Sequence, residues 1–319
     1  GGQALIEGVL MRTPGAYGIA VRRPDGELAL RSGRVVSLGR RYPILKLPLL
    51  RGIAVLFQSL ALGIRALNFS AEVSAAAAEK GGAAESQPGA KTSKRVDAMD
   101  VAIVGSLVVG LLFGVGIFLF LPLWVTHLVE RTVTGELSAW AYNLIDGGLR
   151  AVFFLAYLLL ISRIPDIRRV FGYHGAEHKV VFVEELRLPR TVESAREQSR
   201  FHPRCGTSFL LFVLIASIAL FALIPKTAPF ALKFGGRLLL IPLIAGVAYE
   251  ILRWTAAHSG SPLFSVLVAP GLALQRITTQ EPTDDMLRVA FAALEEALRE
   301  EMSPPTTLDS PSASLRGAL

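Results

Sequence analysis

The sequence predicts a mainly α-helical membrane protein with about four transmembrane helices, an interfacial amphipathic helix, a small N-terminal β-hairpin and a cytoplasmic loop that carries a metal site. Three observations support this fold class. Of the 319 residues, 52% are hydrophobic and only 18% are charged, whereas soluble domains carry about 25% charged residues. Apolar runs of spanning length recur between residues 99 and 277. A polar loop between two of these runs contains the pattern H-x-x-E-H.

The net charge of +7 does not indicate a nucleic-acid partner. The basic residues flank apolar runs, as anionic lipid headgroups and membrane topology require, so we expect the lipid bilayer as a partner and no nucleic acid. The chain contains one cysteine, Cys205. It therefore forms no internal disulfide, and the sequence does not indicate an oxidising compartment.

The N-terminal segment, residues 1–46, is glycine-rich and contains short strand patterns. Residues 17–21 and 27–30 are partly alternating runs, and the Arg-Pro-Asp-Gly sequence at 23–26 is typical of a turn. We therefore expect a β-hairpin at the membrane surface. Glu7 lies in an apolar stretch ahead of this hairpin. Either that stretch is a surface strand, or Glu7 contributes a carboxylate to the metal site.

Residues 47–70 predict an amphipathic helix. Arg51, Gln58 and Arg65 recur every seven residues, so two helical turns bring them to one face. Such a helix lies in the membrane interface or packs in a bundle with its polar stripe inward, and we favour the interface. Residues 71–98 are rich in Ala, Gly, Ser, Glu and Lys and predict a flexible linker, because this composition buries too little apolar surface to fold.

Four apolar segments predict the transmembrane helices. The runs lie at 101–125, 149–164, 207–224 and 237–252. A further apolar stretch, 262–274, is interrupted by Pro270 and Gly271 and is typical of an interfacial or re-entrant segment. Acidic residues and a proline then open an amphipathic helix over 278–302, and residues 303–319 predict a disordered tail.

The distribution of basic residues predicts the orientation. Fourteen Lys and Arg residues precede the first span, and nine lie between Arg163 and Arg204, whereas the other two loops carry few. By the positive-inside rule, both termini and the loop 163–206 are cytoplasmic. We therefore expect a multi-pass protein of the bacterial cytoplasmic (inner) membrane, in which Cys205 stays reduced.

The loop 163–206 contains the candidate chemistry. His174 and His178 are four residues apart and share one face if the segment is helical, which suits two ligands of one divalent ion, zinc being favoured. Glu177 lies beside His178, where it could act as a base toward a water that such an ion activates. Gly172 and Gly175 weaken the helix prediction, because glycine in a helix interior costs up to about 1 kcal/mol.

Further ligands are expected close by in the sequence. His202 and Cys205 have a spacing that fits two ligands in a turn. With four bound ligands the site would be closed and structural, whereas with three it would keep an open position and could be catalytic. Glu250, at the cytoplasmic end of the fourth span, is an accessory candidate, although pairing with Arg253 is the favoured interpretation.

Three motifs together resemble the YqhQ-like family of bacterial membrane proteins. They are the segments 1–12, 173–179 and 200–209, whose sequences are GGQALIEGVLMR, YHGAEHK and RFHPRCGTSF. The resemblance covers nearly the whole chain except the linker and the tail. It implies a predicted metal-dependent enzyme and supplies no substrate.

Three functions are compatible with these residues. The first is a metal-dependent hydrolase, possibly peptidase-like, with Glu177 as the base. The alternative is a membrane scaffold or assembly factor with a structural zinc site. A transporter ranks third, because the first span has no polar residue beyond Ser106. The substrate and the oligomeric state do not follow from the sequence.

Overall fold

A computed structural model describes residues 1–35, 38–81, 105–106, 108–132, 137–258 and 262–303. The predicted linker beyond residue 81, the first residues of the first predicted span and the predicted tail from residue 304 lie outside the described residues.

The N-terminal segment forms a four-stranded antiparallel sheet of order β1-β2-β3-β4. Its strands are β1 Gly2–Leu5, β2 Gly8–Arg12, β3 Ala16–Arg22 and β4 Leu28–Arg34. The predicted hairpin is β3–β4, and a second hairpin, β1–β2, precedes it. β2 is buried at four consecutive residues. It therefore lacks the polar alternation from which a strand is recognised, and the prediction covered only half of the sheet.

Ten helices are described. They are α1 Leu38–Arg41, α2 Leu50–Gly81, α3 Val108–Thr132, α4 Ala139–Ile161, α5 Pro165–Glu185, α6 Val192–Arg196, α7 Gly206–Phe221, α8 Phe230–Ala257, α9 Pro262–Thr278 and α10 Asp284–Met302. A 3-10 turn, Pro43–Lys46, precedes α2, and α3 contains a π-helical stretch, Gly116–Phe120.

The sheet is the middle of three layers. One face carries Leu5, Leu10 and Ile19, which pack against α2 around Ala66. The other face packs against α5 and α10 and includes Val9. Because β2 contributes side chains to both cores, this sheet cannot expose a face to water as a free hairpin would. The C-terminal helix α10 lies within the segment 278–302, and the side chain of Thr283 caps its first turn.

The described helices include four that are long and apolar enough to cross a membrane, although this set differs from the predicted one. It comprises Leu50–Ala75, Val108–Thr132, Ala139–Ile161 and Phe230–Thr255. The third predicted span corresponds to α7, which has 16 residues and is therefore about 24 Å long, less than the roughly 30 Å of hydrocarbon. The first of these four helices, α2, also packs on the sheet through residues between 62 and 73. Helix α2 continues to Gly81, beyond residue 70, where the sequence predicted that the amphipathic helix would end and the linker begin.

A buried ionic cluster joins three of the apolar helices. Asp146 on α4 accepts hydrogen bonds from Arg237 on α8 at 2.9 and 3.0 Å and from Arg150 at 2.8 Å. Arg150 also donates to Ser217 on α7 at 3.2 Å. All three charged residues are at most 4% exposed. Charges at such positions require partners.

Candidate metal centre

The H-x-x-E-H pattern lies on one uninterrupted helix, α5. Pro165 occupies the first turn, where its missing N–H is no loss, and Asp166 complements the helix dipole. Gly175 lies inside this helix without interrupting it, and its lack of a side chain allows another segment of the chain to pack closely against the helix. A Cβ at this position would lie 2.2 Å from the carbonyl oxygen of Gln280. Gly172 also lies at a tertiary contact, although a Cβ there would meet only the flexible end of the Met286 side chain, 2.9 Å from Sδ.

Both histidines of the pattern are oriented by backbone carbonyls. His174 Nδ1 lies 2.8 Å from the carbonyl oxygen of Thr278, and His178 Nδ1 lies 2.6 Å from that of Arg200. A carbonyl only accepts, so each Nδ1 carries the proton and each neutral ring keeps an unprotonated Nε2. Histidine ligands of metal ions are commonly oriented by such a hydrogen bond. Both Nε2 atoms are therefore available as ligands.

Cys205 provides the sulfur beside these nitrogens. It is the N-cap residue of α7, and its Sγ accepts from the backbone N–H of Thr207 at 3.4 Å and from its hydroxyl at 3.3 Å. The distance from Sγ to His174 Nε2 is 3.1 Å. Burial raises the pKa of the thiol, but the neighbouring imidazoles of His174 and His178 outweigh it and lower the pKa to about 6. The thiolate, which is the form that binds metals, is thus favoured at neutral pH.

His174 titrates together with this thiolate. Burial lowers the pKa of the imidazole, but the hydrogen bond and the charge of Cys205, with the carboxylate of Glu177, raise it to about 9. At neutral pH these shifts favour an imidazolium at His174 paired with the thiolate of Cys205, and a divalent ion bound at His174 Nε2 and Cys205 Sγ would displace that proton.

The donor atoms of His174, His178 and Cys205 all lie within 4.8 Å of one another, a spacing that one metal ion could bridge. His178 Nε2 is buried and has no hydrogen-bond partner. A buried nitrogen without a partner is unfavourable, and a ligated cation would satisfy it. Two imidazole nitrogens and one thiolate form a donor set that zinc accepts. The residues therefore fit a metal of this kind.

Glu177 lies against the same group of atoms. Its carboxylate is 4.0 Å from His174 Nε2 and 3.9 Å from His178 Nε2, and its side chain is 7% exposed. The helical spacing that brings the two histidines together thus also brings the predicted base to the site. At this distance the carboxylate is not one of the three donor groups, but it lies beside them and could accept a proton from a water bound next to it.

His202 lies outside the group of three. Its Nε2 is 3.4 Å from a carboxylate oxygen of Glu185, and its ring centroid is 5.7 Å from that of His178. The amide of Gln275 holds its backbone by two hydrogen bonds of 2.8 Å. Burial lowers the pKa of His202 and favours the neutral imidazole. The structure therefore brings together three of the four predicted ligands, with His202 as a neighbour.

The two accessory carboxylates are engaged elsewhere. Glu7, at φ 53° in the β1–β2 turn, forms an ion pair with Arg169 and accepts from the hydroxyl of Tyr173 at 3.1 Å. Glu250 pairs with Arg51 on α2, rather than with Arg253 as the sequence interpretation favoured. Neither carboxylate lines the cleft described next. Both connect structural elements.

A cleft of about 770 Å³ opens onto the donor atoms. Its walls come from strands β1 and β2, from α2, from α5 and from the first turns of α7. The cleft therefore exists only where the sheet, α2 and α7 meet. The carbonyls of Thr278 and Arg200 and the amide of Gln275 were not predicted as parts of the site. The carbonyls have no sequence signal, whereas Gln275 was recognisable as an amide next to an apolar stretch.

The fold and the site thus define a membrane protein with a histidine–cysteine cluster at one cleft. The chain belongs to a family described as "Protein of unknown function (DUF1385)", whose model matches residues 47–300. It is 35% identical over 306 residues to "Uncharacterized protein YqhQ" of Bacillus subtilis (strain 168), with 94% of this chain and 92% of that protein covered. The resemblance to the YqhQ-like family is thereby confirmed. No solved structure matches the chain.

Proposed function

We propose that this protein is a metal-dependent hydrolase at the cytoplasmic face of the bacterial inner membrane. His174, His178 and Cys205 are the protein ligands of one divalent ion, and zinc is the ion that best suits this donor set. The observation that carries the proposal is the convergence of these three donor atoms, within 4.8 Å of one another, at the wall of a large cleft.

Three protein ligands favour a catalytic site over a structural one. Structural zinc sites almost always have four protein ligands, whereas catalytic sites keep one position for water or substrate. His202 pairs with Glu185 and lies outside the group. A metal ion held by these three residues would keep a position for water or substrate, and the cleft opens onto their donor atoms.

The reaction we propose is hydrolysis with Glu177 as the general base. A divalent ion held here would lower the pKa of a water to about 7 and polarise a substrate carbonyl. Glu177, 3.9 Å from His178 Nε2, accepts the proton of the attacking water at its carboxylate and then passes it to the leaving group. The carbonyls of Thr278 and Arg200 keep both imidazoles in the tautomer that leaves Nε2 free.

The orientation rests on the charge distribution. Nine Lys and Arg residues lie between Arg163 and Arg204, so this side of the protein is cytoplasmic by the positive-inside rule. The sheet, α5 and α10 form one hydrophobic core and therefore lie on the same side of the membrane. The proposed topology therefore has α3 and α4 crossing before α5, and α7, as a short span, and α8 crossing before α10, while α2 packs on the sheet. In the reducing cytoplasm Cys205 is a free thiol that can bind a metal.

Metal analysis tests the proposal directly. We expect one divalent ion per chain in protein purified without chelators and measured by inductively coupled plasma mass spectrometry. His174→Ala should lose that ion, whereas His202→Ala should retain it, because His202 lies outside the group. Absence of metal from the folded wild-type protein, or equal loss in both variants, would refute the site.

A structural zinc site is the second candidate. The three ligands tie α5 to the start of α7, and the histidines contact carbonyls of two further segments. A metal here would therefore also stabilise the packing of four chain segments. In that case Cys205→Ser would unfold the protein at lower temperature, and Glu177→Gln would have no effect on function.

A further inference from the structure

The outer side of strand β1, at the edge of the sheet beside the cleft, has no partner strand among the described residues. β1 is the first strand in the sheet order and pairs only with β2. Gly1 and Arg12 are joined by backbone hydrogen bonds, including one of 2.8 Å from the N–H of Arg12 to the carbonyl of Gly1. In an antiparallel ladder, the residues that bond to the partner alternate with residues whose groups point away. The N–H and C=O groups of Gly2 and Ala4 therefore point away from β2.

This free edge faces the candidate site. Residues 1–4 line the same cleft as His174, Glu177 and His178. Gly2 is exposed to solvent, and Ala4 is half-buried. Within the part of the chain that the structure describes, no hydrogen bond reaches the outward N–H or C=O groups of Gly2 and Ala4. An edge of this kind is a template for another strand.

We propose that the substrate is a polypeptide segment that binds in extended conformation, as an additional strand on the outward edge of β1. This inference rests on the proposed hydrolase function and specifies its substrate class. Main-chain hydrogen bonds to Gly2 and Ala4 would hold the segment in register, as in other cases of strand addition. Its backbone would lie about 4.8 Å from that of β1.

The position of Glu177 relative to β1 supports this geometry. A Cβ on Gly2 would lie 3.1 Å from Glu177 Cγ, so the catalytic helix packs directly beneath the edge strand. The same Cβ would lie 2.2 Å from the carbonyl oxygen of Leu10, which explains glycine at this position. A strand added to β1 would therefore run beside Glu177, in the cleft that the donor residues also line. Its peptide carbonyls, which recur at every residue, would reach the site.

The cleft walls indicate the side chains that the segment would carry. Leu62 of α2, Val181 of α5 and Leu210 of α7 line the cleft. The apolar lining suits a peptide whose alternate side chains are apolar, since successive side chains of a strand point to opposite faces. A lipid would use the apolar walls without needing the outward amides. The test below therefore separates the two substrates by the requirement for backbone pairing.

The first experiment measures binding to metal-free protein, so that it does not depend on catalysis. The full chain is purified in detergent and stripped with EDTA, and the probe is a fluorescein-labelled (Val-Thr)5 decapeptide, followed by fluorescence anisotropy. We expect the decapeptide to bind, and an analogue that is N-methylated at every residue to bind at least about tenfold more weakly, because no backbone N–H remains on either edge of the strand. Equal binding of the two peptides, or none by either at millimolar concentration, would overturn the proposal.

A variant tests the same edge from the protein side. Ala4→Pro removes one outward N–H, which proline tolerates at a sheet edge, and Ala4→Ser retains it. We expect Ala4→Pro to weaken decapeptide binding about fivefold to tenfold, the loss of one or two hydrogen bonds, and Ala4→Ser to bind like wild type. Unchanged affinity in a folded Ala4→Pro protein would overturn the proposal.

Hydrogen exchange keeps the test valid if Ala4→Pro fails to fold. In wild-type protein, saturating decapeptide should slow exchange of the Ala4 amide at least about tenfold, while the Gln3 amide, which faces β2, should change little. No change at Ala4 would overturn the proposal. Failure here with one bound metal per chain would reject only the peptide substrate, whereas absence of metal would reject the hydrolase itself.

Discussion

The backbone of Gly175 packs directly against the carbonyl oxygen of Gln280, with room for a hydrogen atom and not for a Cβ, which would lie 2.2 Å away. The N–H of Gln280 also donates to the carbonyl of Phe171 at 2.8 Å, one turn earlier on α5. The segment after α9 is thereby fixed along the helix that carries the histidines. Thr278, which orients His174, belongs to the same contact. The glycine inside the H-x-x-E-H pattern is therefore part of the site's support.

Gly175→Ala should destabilise the protein despite the better helix propensity of alanine. The methyl group meets a backbone atom that can move only with the whole 278–280 segment, and such overpacking costs about 1–3 kcal/mol. We expect a lower melting temperature in detergent and weaker metal binding, because Thr278 shifts with the segment. Gly148→Ala is the control, since its Cβ would meet no described atom within 4 Å. Equal melting temperatures for the two variants would contradict the close-packing role.

Glu177→Gln should separate catalysis from metal binding. The glutamine has almost the same shape but cannot accept the proton, so hydrolysis should fall about 10²- to 10⁴-fold. Metal content should remain at the wild-type level, because Glu177 is not among the three donor residues. The measurement is release of fluorescent peptides from labelled casein, together with metal analysis. Full activity in this variant would favour the structural zinc site.

Asp146→Asn should weaken the helix bundle more than any other single change in the buried cluster. The substitution leaves Arg150 and Arg237 buried without a countercharge, and breaking a buried ion pair costs about 3–5 kcal/mol. Ser217→Ala is the control, because it removes only a neutral acceptor of Arg150, worth about 1 kcal/mol. Thermal unfolding in detergent measures both. A smaller effect for Asp146→Asn than for Ser217→Ala would contradict the assignment of Asp146 as the central partner.

Arg169→Ala should loosen the attachment of the sheet to α5 and leave the metal in place. Arg169 pairs with Glu7 at the β1–β2 turn, and its side chain is 51% exposed, so we expect a loss of at most about 1 kcal/mol. Arg168→Ala changes the adjacent, exposed arginine and should have no comparable effect. Unfolding followed by tryptophan fluorescence, with metal analysis, checks both variants. Loss of metal from Arg169→Ala would instead indicate that Glu7, once paired with Arg169, contributes to the metal site.

The sequence predicted the helix-borne part of the site because that part is local. A spacing of four residues brings His174 and His178 to one face of any helix, and Glu177 follows from the same geometry. Local spacing did not decide whether His202 or Cys205 lies next to His174 and His178. Both are close in sequence, and only the turn at 202–205, held by Gln275, directs Cys205 toward His174 and His202 toward Glu185.

The membrane segments show the same division between local and tertiary information. Length and hydropathy identified α3, α4 and α8, because a spanning helix must be predominantly apolar over about 20 residues. Length and hydropathy did not identify the role of α2, whose apolar face is covered by the sheet as well as by lipid. Arg51 was predicted to lie on a polar stripe, and its partner, Glu250, is on a helix that only folding brings near.

The sequence by itself determined a membrane protein, its predicted H-x-x-E-H helix and its family, because composition, helical period and motif order are properties of neighbouring residues. The tertiary structure decided which side chain converges on His174 and His178, why Gly175 is a glycine, and that β1 presents a free edge beside Glu177. These depend on contacts between residues as far apart as His174 and Thr278. Such contacts arise from the packing of layers, which no local pattern encodes.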